Sequence, residues 1–327
     1  MQPLLAIERL TVSFGETRVL HGVDFSIGKG EALGLVGESG SGKSVTFLAA
    51  LGLLPSTAKV EGRVVLDGAN ILGAAGRVLD KLRGRRIAMI FQDPASALNP
   101  VLTIRRQLSE ALVLHRGVSG RALQAECKRL LELVGIPDAE RRLQAYPHEF
   151  SGGQNQRIMI AMALAGNPDL LIADEPTTAL DVTIQAQILE LLARIRRETG
   201  MAMVLISHDL GVVAENCDRV AGMYAGRVVE TAPAGELFDN PRHPYATGLI
   251  GALPPLDGER RRLTAIGGTV PDPREMPEGC AFAPRCSCEQ PVCRLAPPPL
   301  VPVSGERAVA CHVVASHEAF HPVQAAE

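Results

Sequence analysis

Short apolar runs bounded by turn residues alternate with helical patterns through much of the chain. Four such runs cover residues 32–36, 87–91, 170–173 and 203–206. Continuous apolar runs of this length are typical of parallel strands that are buried on both faces. Because strands that alternate with helices favour a parallel sheet covered by helices, the pattern predicts an α/β fold.

Other segments show different periodicities. Residues 1–30 and 60–67 alternate apolar and polar positions, which predicts a small antiparallel sheet. Residues 103–165 show helical pattern without strand pattern, which indicates a helical insertion. The clearest helix covers 181–199, where Asp181 can cap the start and Gly200 follows the end. After about residue 240 proline becomes dense and periodicity fades. We therefore expect a domain of residues 1–240, with a helical subdomain at about 93–166, and an irregular tail of residues 241–327.

A glycine-rich segment at 37–44 reads Gly-Glu-Ser-Gly-Ser-Gly-Lys-Ser and matches the P-loop pattern in full. It follows the apolar run 32–36 and opens an apolar helical segment, whereas an ordinary glycine turn needs neither. In such a loop backbone N–H groups and the helix N-terminus surround phosphate oxygens. We expect Lys43 to bind the β- and γ-phosphates and Ser44 to ligate Mg²⁺. The predicted nucleotide-binding residues of the loop are Gly37, Ser39, Gly40, Ser41, Gly42, Lys43 and Ser44.

Two adjacent acids, Asp174 and Glu175, end the apolar run 170–173. The carboxyl end of a parallel strand borders the ligand crevice of an α/β sheet. Asp174 is placed there to hold Mg²⁺, directly or through water, and Glu175 to polarise an attacking water. An acidic pair on its own also fits a solvated helix cap. Together with the P-loop, however, the pair predicts hydrolysis of a nucleotide.

Composition narrows the functional classes. The chain has 33 Lys and Arg against 36 Asp and Glu, a net charge of −3, so no basic field supports nucleic-acid binding. It has no apolar run of about 18 residues and no signal-type start, so we expect a cytoplasmic protein, and any membrane role must depend on partners.

Of its seven cysteines, Cys127 and Cys217 fit small core residues and the other five lie between 280 and 311. In the cytoplasm such a group indicates a metal or redox site rather than disulfides.

A third motif, Ser151-Gly152-Gly153-Gln154, stands about twenty residues before Asp174. Alone, Ser-Gly-Gly is a common loop. In this order with the other two motifs it resembles the signature sequence of the ABC ATPase family, over roughly residues 4–240. The resemblance implies the ABC type of P-loop fold. It also implies that the signature offers a helix N-terminus to the γ-phosphate of a nucleotide held by a second subunit.

Four further positions match that family. Gln92 resembles the glutamine that touches Mg²⁺ or water and reports to membrane subunits. Asp181, in the segment 179–181, resembles the loop that crosses between subunits, and His208 resembles the switch histidine that contacts the γ-phosphate. Phe14 matches the aromatic position that stacks on adenine, although a core phenylalanine fits the pattern as well.

Several stretches resemble the oligopeptide/dipeptide importer branch, namely residues 37–44, 91–94, 98–100, 146–151 and 243–245. The resemblance implies an ATP- and Mg²⁺-dependent subunit that powers uptake of di- and oligopeptides from the cytoplasmic face of the membrane. Implied partners are a second ABC ATPase subunit, expected to be a paralogue, two transmembrane permease subunits and, indirectly, an extracytoplasmic substrate-binding protein. Nickel and glutathione remain open as cargo because importers for them belong to the same branch. The alternative is a soluble ABC ATPase of translation or DNA repair. The single P-loop argues against the translation type, which has two ATPase domains in one chain, and the lack of a long heptad arm argues against the repair type.

The tail cysteines Cys280, Cys286, Cys293 and Cys311 also match that branch, whereas Cys288 has no counterpart. Four thiolates can hold an iron–sulfur cluster or a zinc ion. The spacing lacks the tight pairs of most structural zinc sites, which favours a 4Fe–4S cluster over zinc. Free thiols are the third alternative.

Overall fold

The computed structural model describes residues 2–93, 97–178, 180–252 and 266–314. Its strands are β1 (Leu5–Phe14), β2 (Thr17–Ile27), β3 (Ala32–Val36), β4 (Ala58–Leu66), β5 (Ala69–Asn70), β6 (Ile87–Ile90), β7 (Leu170–Asp174), β8 (Ala202–Ile206), β9 (Arg219–Tyr224), β10 (Arg227–Pro233), β11 (Val301–Ser304) and β12 (Arg307–Val309). Its α-helices are α1 (Lys43–Ala50), α2 (Gly76–Leu82), α3 (Ile104–Arg116), α4 (Gly120–Leu133), α5 (Ala139–Arg142), α6 (Gly152–Leu164), α7 (Val182–Thr199), α8 (Leu210–Asn216), α9 (Ala234–Asp239) and α10 (Pro244–Gly251). Short 3-10 helices span Pro147–Glu149, Ala283–Arg285 and Pro291–Arg294. Within these ranges, we find no helix with the length and apolarity needed to span a bilayer.

The chain divides into two compact units, of which the first comprises Met1–Leu4, Ile27–Ala32 and Gly73–Ile206. In this unit β6, β7 and β8 pair in parallel, in that order. Every residue of β7 and β8 is buried, which explains why their sequences are apolar apart from Asp174 at the end of β7. Three of the four apolar runs thus form the predicted buried parallel strands in this unit, and the fourth, residues 32–36, forms the buried strand β3.

Helices make up most of the rest of the first unit. The insertion predicted over 103–165 contains α3 to α6, and the Thr103 side chain caps α3 by accepting from the Arg106 N–H. Asp181 caps α7 by accepting from the Ile184 N–H at 3.0 Å, and Gly200 ends that helix at a positive φ of 69°. The helix predicted over 181–199 is therefore confirmed together with both of its ends.

The second unit comprises Leu5–Ser26, Leu33–Leu72 and Ser207–Glu327. A four-stranded sheet in the order β2–β1–β4–β5 forms one part of it. The β1–β4 and β4–β5 pairs are antiparallel, as the alternating sequence pattern predicts.

A second set of strands in this unit follows the order β11–β12–β10–β9–β3. β3 and β9 pair in parallel, and the remaining pairs are antiparallel. β11 and β12 come from the tail, which also contains α10 and the 3-10 helices Ala283–Arg285 and Pro291–Arg294. The sequence did not indicate these two strands because they are short and one contains Pro302. Their neighbour β10, distant along the chain, provides the pairing partner.

Candidate functional site

The P-loop follows β3 directly, and its lysine opens α1. Gly37 and Gly42 both have positive φ, at 150° and 96°. A Cβ atom on Gly37 would lie 2.1 Å from the Met223 carbonyl oxygen, and one on Gly42 would lie 2.4 Å from Leu20 Cδ2. Gly37 therefore requires glycine for backbone conformation and for space, and Gly42 requires it for backbone conformation.

Lys43 lies across its own loop. The residue is 7 % exposed, and its Nζ donates to the carbonyl oxygens of Gly37 at 2.7 Å and Glu38 at 3.1 Å. Nζ is also 3.5 Å from Ser41 Oγ. Because charged acceptors bind an ammonium more strongly than neutral carbonyls do, the phosphate oxygens of a nucleotide could replace these contacts.

The loop has groups that fit a triphosphate. Gly40 has a φ of 78°, and no atom lies within 4 Å of the position its Cβ would take, so the crest of the loop is open. Ser39 and Gly40 are exposed, and Ser44 lies half-buried in the first turn of α1. Backbone N–H groups, an ammonium and hydroxyls are the donors that phosphate takes. The Ser44 hydroxyl and the Asp174 carboxylate are oxygen ligands of the kind that Mg²⁺ takes.

Asp174 is the last residue of β7 and is 8 % exposed. Glu175 follows it with a φ of 46°, a left-handed conformation that is uncommon for a residue other than glycine. The Glu175 N–H donates to the Ile206 carbonyl oxygen at 2.9 Å, which holds the turn. Strained backbone of this kind concentrates at functional sites, where it directs a side chain.

Two side chains hold the Glu175 carboxylate. Gln92 Nε2 donates to Glu175 Oε2 at 3.1 Å, although the two residues are 83 positions apart. Thr178 Oγ1 donates to the same oxygen at 2.9 Å. The structure therefore brings together two residues predicted to be catalytic. Thr178 was not predicted, and the signal that could have found it is a hydroxyl three residues after the acid.

The signature segment forms the start of α6. Ser151 Oγ accepts from the Gln154 N–H at 3.3 Å, and the Gln154 side chain accepts from the Ser151 N–H at 3.1 Å. This reciprocal capping box leaves Ser151 and Gly152 exposed at the helix N-terminus. A Cβ atom on Gly153 would lie 2.7 Å from Ile184 Cγ2, so glycine allows α6 and α7 to pack closely.

Three other predicted residues lie near the surface. His208 is exposed just after β8, and Phe14 is 36 % exposed at the end of β1. The exposed Asp181 caps α7, whereas Ala179 of the same predicted loop lies outside the described residues. Phe14, the P-loop and His208 belong to the second unit, and the other predicted nucleotide-site residues belong to the first.

The predicted cluster cysteines do not fit a metal site. Within the ranges described, no three Cys, His, Asp or Glu side chains form a group that could hold a metal ion. The tail cysteines are free thiols, and burial raises the pKa of Cys286 to about 11. Cys127 and Cys217 are buried, as predicted for core residues.

Comparison with known proteins shows the family of the chain. Residues 20–178 match the ABC transporter family, and residues 229–293 match the C-terminal region of oligopeptide/dipeptide transporters. A putative peptide import ATP-binding protein of Brucella abortus is 50 % identical over 314 residues, covering 94 % of either chain. The dipeptide transport ATP-binding protein DppD of Bacillus subtilis is 50 % identical over 299 residues, covering 90 % of this chain and 89 % of its own. The oligopeptide transport ATP-binding protein OppD of Haemophilus influenzae is 47 % identical, covering 91 % and 93 %.

Solved structures support the fold. The protein cbiO1 of Clostridium perfringens, part of the ABC transporter complex cbiONQ, matches with a TM-score of 0.64 and 29 % identity. The match covers 73 % of this chain and 92 % of the cbiO1 chain. The ATP-binding cassette MJ0796, in a dimeric post-hydrolysis state bound to ADP and Pi, matches with a TM-score of 0.62 and 30 % identity, covering 70 % and 98 %. The chain is therefore a member of the ABC transporter family of ATP-binding proteins and carries the C-terminal region of its oligopeptide/dipeptide branch.

Proposed function

We propose that this chain is the ATP-hydrolysing subunit of an importer that moves di- and oligopeptides across the cytoplasmic membrane. The observation that carries the hydrolytic part is the carboxylate of Glu175, held by Gln92 at 3.1 Å and Thr178 at 2.9 Å on a strained turn. The names of relatives at about half identity over most of the chain support the cargo.

ATP binding is assigned to the P-loop. Its backbone N–H groups and Lys43 bind the phosphates, and the exposed ring of Phe14 stacks on adenine. Ser44, Gln92 and Asp174 would hold Mg²⁺, which would neutralise charge on the phosphates. Lys43 exchanges its carbonyl contacts for phosphate oxygens as the nucleotide enters.

Hydrolysis is assigned to three side chains. Glu175 accepts a hydrogen bond from the attacking water and directs it in line with the γ-phosphorus. Gln92, which donates to Glu175, positions that carboxylate and reports nucleotide occupancy to the membrane subunits. His208 stabilises the charge of the transferred phosphoryl group.

A second ABC ATPase subunit completes the site. Its signature helix N-terminus covers the γ-phosphate bound here, and Ser151, Gly152, Gly153 and Gln154 of this chain do the same for the partner's nucleotide. The crossing loop at Asp181 joins the two. We expect the partner to be a paralogue in a heterodimer. ATP stabilises the closed pair and hydrolysis reopens it, which is a population shift set by differential affinity.

The complex lies peripherally on the cytoplasmic face of the membrane. Two transmembrane permease subunits form the pathway, and an extracytoplasmic substrate-binding protein delivers cargo to them. The 4Fe–4S cluster remains a prediction that the described side chains do not support, and no step depends on it. Iron and acid-labile sulfide analysis of anaerobically purified protein tests it.

Reconstitution tests the proposal directly. Vesicles containing the permease subunits, both ATPase subunits and the binding protein should take up labelled di- and oligopeptides when ATP is supplied on the ATPase side. Glu175→Gln is the matched inactive control because it preserves the shape of the side chain. Uptake of nickel or glutathione without peptides would refute the peptide cargo. A rate of ATP hydrolysis that does not change when the permease and binding protein are added would favour a soluble ATPase instead.

A further inference from the structure

In the second unit, the loop residue Glu38 connects the P-loop to the C-terminal region. Arg285, in the 3-10 helix Ala283–Arg285, donates from Nη1 to Glu38 Oε2 at 2.7 Å and from Nη2 to Oε1 at 3.0 Å. The Arg285 side chain is 5 % exposed and that of Glu38 is 30 % exposed. A bidentate pair largely removed from water fixes both the position and the orientation of the carboxylate.

The same residue has two further contacts through its backbone. The Glu38 N–H donates to the hydroxyl of Tyr245, a fully buried residue of α10, at 2.8 Å. The Glu38 carbonyl oxygen accepts from Lys43 Nζ at 3.1 Å. The C-terminal region thus holds, at two points, the loop residue that itself contacts the phosphate-binding lysine.

Three aromatic rings pack together, and two of them lie against the arginine that binds Glu38. Tyr224, Tyr245 and Phe282 pack on one another with ring centroids 4.7 to 5.5 Å apart. The Arg285 guanidinium lies 5.7 Å from the Tyr224 centroid and 5.9 Å from that of Phe282. Its Nε donates to the Gly267 carbonyl oxygen at 2.9 Å, and its Nη1 donates to the Tyr224 hydroxyl at 3.2 Å. Packing and hydrogen bonds therefore orient Arg285 independently of the carboxylate it binds.

Charge gives the pair a second consequence. Glu38 is the only acidic residue of the loop at 37–44, and an unpaired carboxylate there would repel a triphosphate. Arg285 neutralises it. The hydrogen bonds from Arg285 to Glu38 raise the pKa of the guanidinium still further, so its charge is retained throughout the pH range in which the protein is folded.

We propose that Arg285 is a positioning residue for ATP binding, through which the C-terminal region of this family branch fixes the P-loop. It holds Glu38 so that the loop carbonyl supports Lys43, and it neutralises the acidic side chain of the loop. This inference rests on the proposed function, because it assigns the region a role toward ATP.

Arg285→Met in the full chain tests the proposal by nucleotide titration and steady-state ATP hydrolysis. We expect the Kd and KM for ATP to rise about tenfold to a hundredfold, more than kcat falls, since a loop displaced by a fraction of an ångström loses phosphate contacts. The double variant Glu38→Gln with Arg285→Met should recover only the part of the affinity lost to charge repulsion, because the neutral amide no longer repels phosphate but the loop is still not held in position. A purely structural role would lower Tm and leave the Kd of the folded protein unchanged.

Arg274→Met is the matched control, because Arg274 lies in the same region with 78 % of its side chain exposed, and its ATP affinity should equal that of the wild type. If Arg285→Met does not fold, Tyr245→Phe removes only the hydroxyl that accepts from Glu38. Its Kd should rise about threefold to tenfold. If the wild type binds ATP and a folded Arg285→Met or Tyr245→Phe protein binds it as tightly, this inference is overturned and the proposed function stands. A wild type that does not bind ATP would refute the proposed function itself.

Discussion

Glu175→Gln replaces the carboxylate assigned to the attacking water by an amide of the same shape. Loss of a general base typically slows a reaction about 10²- to 10⁴-fold, which corresponds to about 3–5 kcal/mol of transition-state stabilisation. The fold should survive, because the amide oxygen can still accept from Thr178 Oγ1, now 2.9 Å from Glu175 Oε2. Exchanging a charged acceptor for a neutral one in this half-buried contact costs about 1 kcal/mol of folding free energy.

The assay is phosphate release at saturating ATP, read beside size-exclusion chromatography of the ATPase pair with ATP. The variant should bind ATP with near wild-type affinity and accumulate closed dimers while release of phosphate almost stops. Glu190→Gln is the matched control, since the exposed Glu190 on α7 loses the same charge away from the site. Turnover by Glu175→Gln within about threefold of the wild type would remove Glu175 from its role, because no general base contributes so little.

Three further predictions concern the loop and the second unit. Gly37→Ala would place a methyl group 2.1 Å from the Met223 carbonyl oxygen. Nucleotide titration should therefore show loss of ATP binding, and thermal unfolding should show a lower Tm. Normal ATP binding by this variant would contradict the packing. Arg307→Ala leaves the fully buried Glu230 without the cation now 3.4 Å away, and urea unfolding should show a loss of about 3–5 kcal/mol. Burial lowers the pKa of His243 from 6.5 to about 4. Between these values the unfolded chain binds the extra proton, so the free energy of unfolding should fall by about 2 kcal/mol as pH drops from 7 to 5. His243→Asn should flatten that dependence, and an unchanged slope would contradict it.

Much of the site could be predicted because it lies in contiguous motifs. A P-loop needs its glycines, lysine and serine in one short segment, and a buried parallel strand must be apolar up to its acidic end at Asp174. Helix ends were also predictable, since Asp181 and Gly200 satisfy backbone groups through local contacts.

Long-range contacts could not be read from local pattern. The bonds from Gln92 to Glu175 and from Arg285 to Glu38 join residues 83 and 247 positions apart. Neither pair shares a periodicity or a motif. Strands β11 and β12 were not predicted for the same reason, since their pairing depends on the distant strand β10. The tail cysteines Cys280, Cys286, Cys293 and Cys311 show that a local spacing can also predict too much. Their spacing suggests a metal site, but it does not by itself place the thiols in one coordination sphere.

The most direct test of the account is the affinity of Lys43→Ala for ATP. The wild-type ammonium reaches two loop carbonyls within 3.1 Å and is buried where phosphate oxygens would replace them. We expect the folded variant to bind ATP at least about tenfold more weakly and to release almost no phosphate, since charged hydrogen bonds of this kind contribute about 1.5–3 kcal/mol each. Lys59→Ala, which removes an ammonium whose side chain is 73 % exposed, should behave as the wild type. A Lys43→Ala protein with undiminished ATP affinity and phosphate release would contradict the account.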